Sequence, residues 1–135
     1  MAKHVTYFFS EDAQAQAAFY IKALGGEVVS IQKHGDLPQP SEENKDKVMH
    51  LHLIAGGVTF YMSDNFGPVD QGNAISQSLE FETEGEAQGA FTKLAEGGKV
   101  THPLQKEFWG AMFGQLEDKF GVKWMITTTA PGAPA

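Results

Sequence analysis

Apolar and polar positions follow the same succession of patterns twice along the chain. A strand-like run, "HVTYFF" or "SQSLEF", leads into an acidic turn and then into an apolar pattern with helical spacing. Three more extended stretches follow each helix. We predict helices near 12–24 and 84–96, and strands near 4–9, 26–33, 47–55, 58–63, 76–82, 98–102, 111–117 and 122–128.

The two predicted helices end in the same way. "AFYIKALGGEVV" starts at Ala18 and "AFTKLAEGGKVT" at Ala90, and each contains a Gly-Gly pair that can end a helix. The alternative is chance similarity between two amphipathic helices, but the shared order of elements favours an internal duplication. We therefore predict an α+β protein of two tandem βαβββ modules, 4–63 and 76–128, in a single domain of residues 1–129. A disordered tail, 130–135, is expected to follow.

The segment "VMHLHLIAGGVTFYMSD" predicts a β-hairpin that brings two histidines onto one face. If the glycines at 56–57 form a two-residue turn, His52 lies opposite Tyr61 and His50 lies opposite Ser63. That polar face should line a pocket. The alternating residues should pack on the helices: Leu51, Leu53, Phe60 and Met62.

Three roles are open for the two histidines. They could ligate a metal ion, line a metal-free pocket as hydrogen-bonding or acid–base groups, or be sheet residues without chemistry. A metal would need a third ligand, for which strand parity offers Glu80. In an enzyme, His50 or His52 would act as the acid or base and Tyr61 would donate a hydrogen bond.

Aromatic residues suggest what else lines the pocket. Tyr7 and Phe9 alternate onto one face of the first strand, and Trp109 lies in an apolar loop beside a glycine, which together predict an aromatic-lined cavity. We expect the neighbouring Phe108 to be an ordinary core residue. The ligand-binding candidates are therefore Tyr7, Phe9, Ser63, Ser76, Glu80, Trp109 and Met125.

In the last predicted strand, side chains expected to pack on the helix alternate with side chains expected to face the pocket. Trp124 and Ile126 should pack under the second helix, which turns Met125 toward the pocket. Just before this strand, Asp118 and Gly121 fit a turn, and we assign them a structural role only.

Composition excludes several classes of function. The 135 residues contain no cysteine, which rules out disulfides, thiolate zinc sites and a cysteine nucleophile. The net charge is −7 and the ten Lys and Arg residues are scattered, so we expect no nucleic-acid partner. No apolar run could span a membrane and no secretory signal is visible, so we expect a cytoplasmic protein.

Long segments resemble the PhnB-like branch of the vicinal oxygen chelate superfamily, which includes glyoxalases, bleomycin-resistance proteins and dioxygenases. They are "FYIKALGGE", "MHLHLIAGGVTFYMSD" and "LAEGGKVTHPLQKEFWGAMFGQLEDKFGVKWMI", and the last is the most specific. The resemblance implies a cupped mixed sheet, a small-molecule pocket in the cup and a homodimer. Some relatives have carried a demethylubiquinone methyltransferase label. The sequence has no G-x-G loop to hold a nucleoside, so we expect no such cofactor.

The resemblance also implies where a metal would bind. In metal-bearing members, the ligands lie at the head of the first strand and inside the fourth strand of each module. His4 is one residue away from the first position, and a one-residue slip turns a side chain to the other face. The four positions themselves hold poor ligands for a divalent ion: Val5, Tyr61, Ser76 or Ser78, and Met125.

We therefore predict a protein that binds a small organic molecule in an aromatic and histidine-lined cup, without the superfamily metal. Two alternatives stay open at this point. One is a metal-dependent lyase, isomerase or dioxygenase that uses His50 and His52. The other is a resistance protein that sequesters a drug by pocket complementarity alone.

Overall fold

The computed structural model describes residues 1–129, so the predicted tail lies outside the described residues. The chain divides into two compact units, Met1–Val69 and a second that starts at Asp70. The first contains β1 Thr6–Ser10, α1 Ala13–Leu24, β2 Gly26–Lys33, a 3₁₀ helix His34–Asp36, β3 Val48–Ala55 and β4 Val58–Asp64. The second contains β5 Gln77–Phe81, α2 Glu84–Leu94, β6 Lys99–Lys106, β7 Met112–Glu117 and β8 Lys123–Thr128.

Each unit forms one four-stranded mixed sheet, and the two strand orders are equivalent. They are β1-β4-β3-β2 and β5-β8-β7-β6. In each sheet the first pair is parallel and the other two pairs are antiparallel. The predicted α+β fold of two tandem βαβββ modules is confirmed. The assignment of both modules to a single domain stays a prediction.

The repeat extends to individual hydrogen bonds. At the end of β4, Asp64 Oδ2 accepts a 2.7 Å hydrogen bond from the N–H of Val48, the first residue of β3. At the end of β8, Thr128 Oγ1 accepts a 2.9 Å hydrogen bond from the N–H of Met112, the first residue of β7. The equivalent strands are thus joined by side-chain hydrogen bonds at equivalent positions, which supports an internal duplication.

Both helices begin at side chains that cap them. Asp12 accepts a hydrogen bond from the N–H of Ala15, and Thr83 accepts one from the N–H of Glu86, each at 3.1 Å. These bonds satisfy N–H groups that have no partner inside the helix. The buried face of α1 then carries Ala13, Gln16, Ala17, Tyr20 and Ala23.

One face of each sheet packs against its helix. In the first unit, the Phe8 ring lies 5.7 Å from that of Tyr20 on α1, between ring centroids. The side chains buried on this face include Leu51, Leu53, Phe60 and Met62. In the second unit, Trp124 and Ile126 are fully buried, as their alternation predicted. Each sheet therefore has a helix-covered face and an opposite face that its helix leaves open.

The structure corrects two expectations. Strand β6 continues to Lys106 instead of ending at residue 102, because it is an edge strand, where Pro103 costs little. Phe108 is not a core residue: it is 96% exposed, in a turn closed by a 2.9 Å bond from the Gly110 N–H to the Glu107 carbonyl. A short 3₁₀ helix, His34–Asp36, follows β2 directly. Within residues 1–129, no helix has both the length and the apolar character needed to cross a bilayer.

Candidate functional site

The open face of the first sheet, called here the first open face, brings most of the predicted site residues together. In the parallel pair, Tyr7 lies beside Tyr61 and Phe9 lies beside Ser63. In the antiparallel pair, His52 lies opposite Tyr61. His50 is two residues from His52 on β3, so both imidazoles share this face. The predicted site residues on the first open face are thus Tyr7, Phe9, His50, His52, Tyr61 and Ser63.

Tyr61 is the centre of this group because β4 lies between β1 and β3. Its ring centroid lies 5.0 Å from that of His50 and 5.2 Å from that of His52. The latter pair is edge-to-face, at 88°. The Tyr7 ring contacts Tyr61 from the other side, at 6.2 Å, and also contacts Phe9, at 5.4 Å. The five rings form one continuous aromatic surface.

A polar contact crosses this surface. The Tyr7 hydroxyl lies 3.3 Å from Nδ1 of His50, and Tyr7 donates this hydrogen bond when Nδ1 carries no proton. Nε2 of the same ring then carries the proton and can donate to a ligand. Tyr7 is 40% exposed and Phe9 is 58% exposed, so the surface is accessible.

The β3–β4 turn fixes this arrangement locally. Gly56 and Gly57 have φ of 61° and 79°, conformations that favour glycine and match the twist of the flanking strands. Ala55 therefore pairs with Val58, and the ladder continues to His52 and its partner on β4. The predicted two-residue turn and the pairing of His52 with Tyr61 are confirmed, and the position of His50 opposite Ser63 stays a prediction.

Two residues that the sequence did not predict join the first open face. On the edge strand β2, Ser30 pairs with His52 and Gln32 pairs with His50. The register of β2 shifts between Val28 and Ser30, which changes the side-chain parity relative to a regular strand. Pattern alone could not give this parity, so these polar neighbours were missed.

The remaining site candidates belong to the second unit. Met125 pairs with Ser78 on one side and with Gln115 on the other, and Glu80 pairs with Thr127. These side chains define the second open face, and Ser76 directly precedes its β5 strand. Here His102, which the sequence did not single out, contacts the Phe113 ring at 5.2 Å. The approach of Glu80 to the two predicted histidines stays a prediction.

Trp109 lies in the β6–β7 turn and not on a sheet. It is 49% exposed and packs edge-to-face on Phe108, with 5.0 Å between ring centroids. Its predicted role in ligand binding stays a prediction.

The two open faces differ in charge. On the second, Lys123 Nζ donates a 2.6 Å hydrogen bond to Glu117, whose carboxylate also lies 3.8 Å from Lys99 Nζ. The hydrogen bond from Lys123, with the positive charges of both lysines, holds the pKa of the Glu117 carboxyl below its ordinary value. On the first, β1, β3 and β4 contribute aromatic, imidazole, hydroxyl or aliphatic side chains, with no lysine, arginine or carboxylate among the rings. A carboxylate lies on this face only at the edge strand β2, where Glu27 pairs with Ile54.

The sequence matches a known family over nearly its whole length. Residues 2–126 match the model of the Glyoxalase/Bleomycin resistance protein/Dioxygenase superfamily. The chain belongs to this superfamily. The predicted resemblance is therefore confirmed, and the tandem modules are those of the glyoxalase fold.

Solved structures and a curated protein are similar to this superfamily member over most of its length. Protein PA1353 from Pseudomonas aeruginosa is 36% identical with a TM-score of 0.81, over 95% of this chain and 98% of that chain. The PhnB protein from Bacillus cereus, described provisionally as a 3-demethylubiquinone-9 3-methyltransferase, is 30% identical with a TM-score of 0.77, over 95% and 100%. Protein YjdN from Escherichia coli (strain K12) is 26% identical over 131 residues, 87% of this chain and 88% of that protein.

The four positions at which the resemblance predicts the superfamily metal hold residues that do not suit a divalent ion. Val5 has no donor atom, and the phenol of Tyr61 is neither the imidazole nor the carboxylate that such divalent ions prefer. The thioether of Met125 is too soft for a hard divalent ion. His4 is exposed and precedes β1. Among residues 1–129, no three His, Asp or Glu side chains are grouped closely enough to hold an ion. The donor set of this chain therefore does not fit the superfamily metal.

Proposed function

We propose that this protein binds a small planar organic molecule on the first open face, without the superfamily metal. The observation that carries the proposal is the Tyr61-centred surface of five rings. Large aromatic side chains are normally buried, and a connected group of them left accessible beside hydrogen-bonding groups is typical of a ligand site. Phe8, the residue between Tyr7 and Phe9, is only 4% exposed, so the strand itself is well packed.

The chemistry of this face indicates the class of ligand. The rings of Tyr7, Phe9 and Tyr61 offer stacking and edge contacts to a flat aromatic ring, each worth about 0.5–1.5 kcal/mol beyond burial. The two imidazoles can donate or accept hydrogen bonds to one or two polar groups. Because no fixed charge lies among the rings, the ligand should be neutral or only weakly charged, since an ion would lose hydration without gaining a partner.

A second candidate function is catalysis on the same face. The Tyr7–His50 contact favours it, because a hydrogen-bonded imidazole is oriented as an acid or base requires. His50 or His52 would transfer the proton, and Tyr61 would donate a hydrogen bond to the developing charge. Once a ligand is identified, the two functions are distinguished by measuring whether the protein converts it into a product. Methyl transfer from a nucleoside cofactor does not fit this sequence, which has no G-x-G loop. A homodimer and a cytoplasmic location stay predictions.

Replacing both histidines tests the binding proposal. We expect 2-naphthol, a planar aromatic with one hydroxyl, to bind the protein and to perturb the NMR signals of His50 and His52. In the variant His50→Gln/His52→Gln, affinity should fall about tenfold or more, because two ring contacts and their hydrogen bonds are lost. The fold should persist, because the buried Leu51 and Leu53 on the other face are unchanged.

The matched control is His34→Gln with His102→Gln, which removes two histidines that lie off the first open face. It should bind 2-naphthol as the unmodified protein does. Cyclohexanol, which has the hydroxyl but no aromatic ring, should not bind. Equal affinity of both double variants for 2-naphthol would contradict the proposed site.

Metal content tests the other half of the proposal. We expect the purified protein to contain far less than one equivalent of zinc, nickel, iron or manganese, and we expect a chelator to leave its melting temperature unchanged. A metal that binds only the folded state would stabilise it by about 2.7 kcal/mol at one hundred times its dissociation constant, so chelation would be visible. Stoichiometric metal that disappears in His50→Gln/His52→Gln would instead support a metalloenzyme, with Glu80 as the next residue to replace.

A further inference from the structure

We propose that Gln32 and His50 together select a ligand that carries a lactam, a ring C=O beside a ring N–H. This rests on the proposed binding of a planar molecule on the first open face, and it names the chemical class of that molecule. Gln32 lies on the edge strand β2 and pairs with His50 on β3. Directly opposite residues of an antiparallel pair point to the same face, so the carboxamide and the imidazole lie side by side.

The contact with Tyr7 sets what His50 can offer a ligand. The Tyr7 hydroxyl lies 3.3 Å from Nδ1 of His50, and a hydrogen bond donated to Nδ1 leaves the proton of the neutral imidazole on Nε2. The two ring nitrogens point in diverging directions, and Tyr7 approaches from β1, at the opposite edge of the sheet from β2. Nε2 therefore points toward the β2 side, where it can donate to a ligand carbonyl.

Gln32 supplies the complementary acceptor. Its side chain is exposed, and within residues 1–129 its carboxamide makes no hydrogen bond. A lactam holds its C=O and its N–H on neighbouring ring atoms. One edge of such a ligand can therefore accept from Nε2 of His50 and donate to Oε1 of Gln32 at the same time.

The charges around this pair favour a neutral group. The carboxylate of this face, Glu27, pairs with Ile54, four residues from His50 along β3. Four strand residues span about 13 Å, which is too far for one lactam to reach both. Lys33 pairs with the buried Val48 and lies on the opposite face. An ionised ligand group would therefore lose hydration beside the imidazole without gaining an opposite charge.

Two matched compounds test for recognition of a lactam. 2-Quinolone is a planar neutral bicycle with adjacent C=O and N–H groups, and 1-methyl-2-quinolone keeps the C=O but has a methyl group in place of the N–H hydrogen. We expect the unmodified protein to bind 2-quinolone about tenfold more tightly, the difference that one hydrogen bond makes at an accessible site. Isothermal titration calorimetry measures both affinities.

Gln32→Leu should remove this preference, because leucine has a similar size but cannot accept a hydrogen bond. The two compounds should then bind within about twofold of each other. The matched control is Gln105→Leu, which changes a glutamine on β6, the equivalent edge strand of the second unit. This control should keep the preference for 2-quinolone.

Tyr7→Phe tests the hydrogen bond at Nδ1 of His50. The ring remains, but the donor that favours the Nε2–H tautomer is lost. The ¹⁵N NMR signals of His50 should show a proton on Nε2 in the unmodified protein and a larger share of the Nδ1–H tautomer in Tyr7→Phe. Affinity for both compounds should fall by about twofold or more while their ratio stays the same, since both carry the carbonyl.

Other results would overturn the proposal. Equal binding of the two compounds would show that the face recognises only a carbonyl. A preference that survives in Gln32→Leu would show that the added methyl group is excluded by its size. If 2-naphthol binds through His50 and His52 but 2-quinolone does not bind, the face accepts aromatic molecules without selecting a lactam. Binding of neither compound would contradict the proposed function as well.

Discussion

Replacing Asp118 with alanine should lower the free energy of unfolding by about 3–5 kcal/mol. The Asp118 side chain is only 2% exposed, and its carboxylate accepts three hydrogen bonds. Oδ1 accepts from the N–H groups of Phe120 and Val122, at 2.8 and 3.1 Å. Oδ2 accepts from the indole N–H of Trp124, at 2.8 Å. Alanine would leave these donors without their acceptor, next to a fully buried tryptophan.

Two further variants make this prediction specific. Asp118→Asn should cost less than alanine, because its carbonyl oxygen can still accept the backbone bonds while its amide group opposes the Trp124 N–H as a second donor. Asp46→Ala removes an exposed aspartate and should change stability by no more than about 0.5 kcal/mol. Urea unfolding followed by tryptophan fluorescence measures all three. If Asp118→Ala and Asp46→Ala unfold at the same urea concentration, the Asp118 carboxylate does not stabilise the fold as its hydrogen bonds indicate.

The second glycine of the Gly-Gly pair that follows each helix should be intolerant of a methyl group. A Cβ on Gly26 would lie 1.8 Å from the carbonyl oxygen of Ile54, and a Cβ on Gly98 would lie 2.1 Å from that of Glu117. Both obstacles are backbone atoms of a neighbouring strand, so no side-chain rotation can remove the clash. We expect Gly26→Ala and Gly98→Ala each to cost about 3 kcal/mol, because the sheet must shift to admit the methyl group.

The same substitution in helix α2 should have the opposite sign. Gly89 is exposed in mid-helix, and a Cβ there would meet no atom within 4 Å. Gly89→Ala should therefore stabilise the protein by about 0.5–1 kcal/mol, since alanine loses less conformational freedom in a helix. Thermal unfolding compares the three variants. If Gly98→Ala is as stable as the unmodified protein, the backbone at Glu117 can move away from the added methyl group without a loss of stability.

The duplicated modules carry different chemistry at equivalent positions. In the first, Tyr61 on the inner strand lies between Tyr7 and His52. In the second, Met125 holds the equivalent place, between Ser78 and Gln115. The strand order is the same in both modules, so the difference in chemistry between the two open faces comes from the side chains that the strands carry. Such divergence allows one open face to keep an aromatic surface while the other becomes polar and ion-paired.

Features set by neighbours in the chain could be predicted from the sequence. The helix starts depend on the caps at Asp12 and Thr83, which act over a few residues. The position of His52 opposite Tyr61 depends on the turn at 56–57, because a two-residue loop permits few registers and each register assigns every side chain to a face. The alternation that buries Trp124 and Ile126 is likewise a property of the strand itself.

Features set by distant segments needed the tertiary structure. Tyr7 meets Tyr61 and His50 only because β1 adds to β4 in parallel, and sequence spacing does not fix the register of such a long-range pair. The register shift in β2 places Ser30 beside His52, and the edge position of β6 allows it to continue through Pro103. The sequence by itself determined the modules, the hairpin and the face on which His50 and His52 lie. Which strands became neighbours, and therefore which rings and donors surround Tyr61, was decided by packing between segments far apart in the chain, whose energy no local pattern encodes.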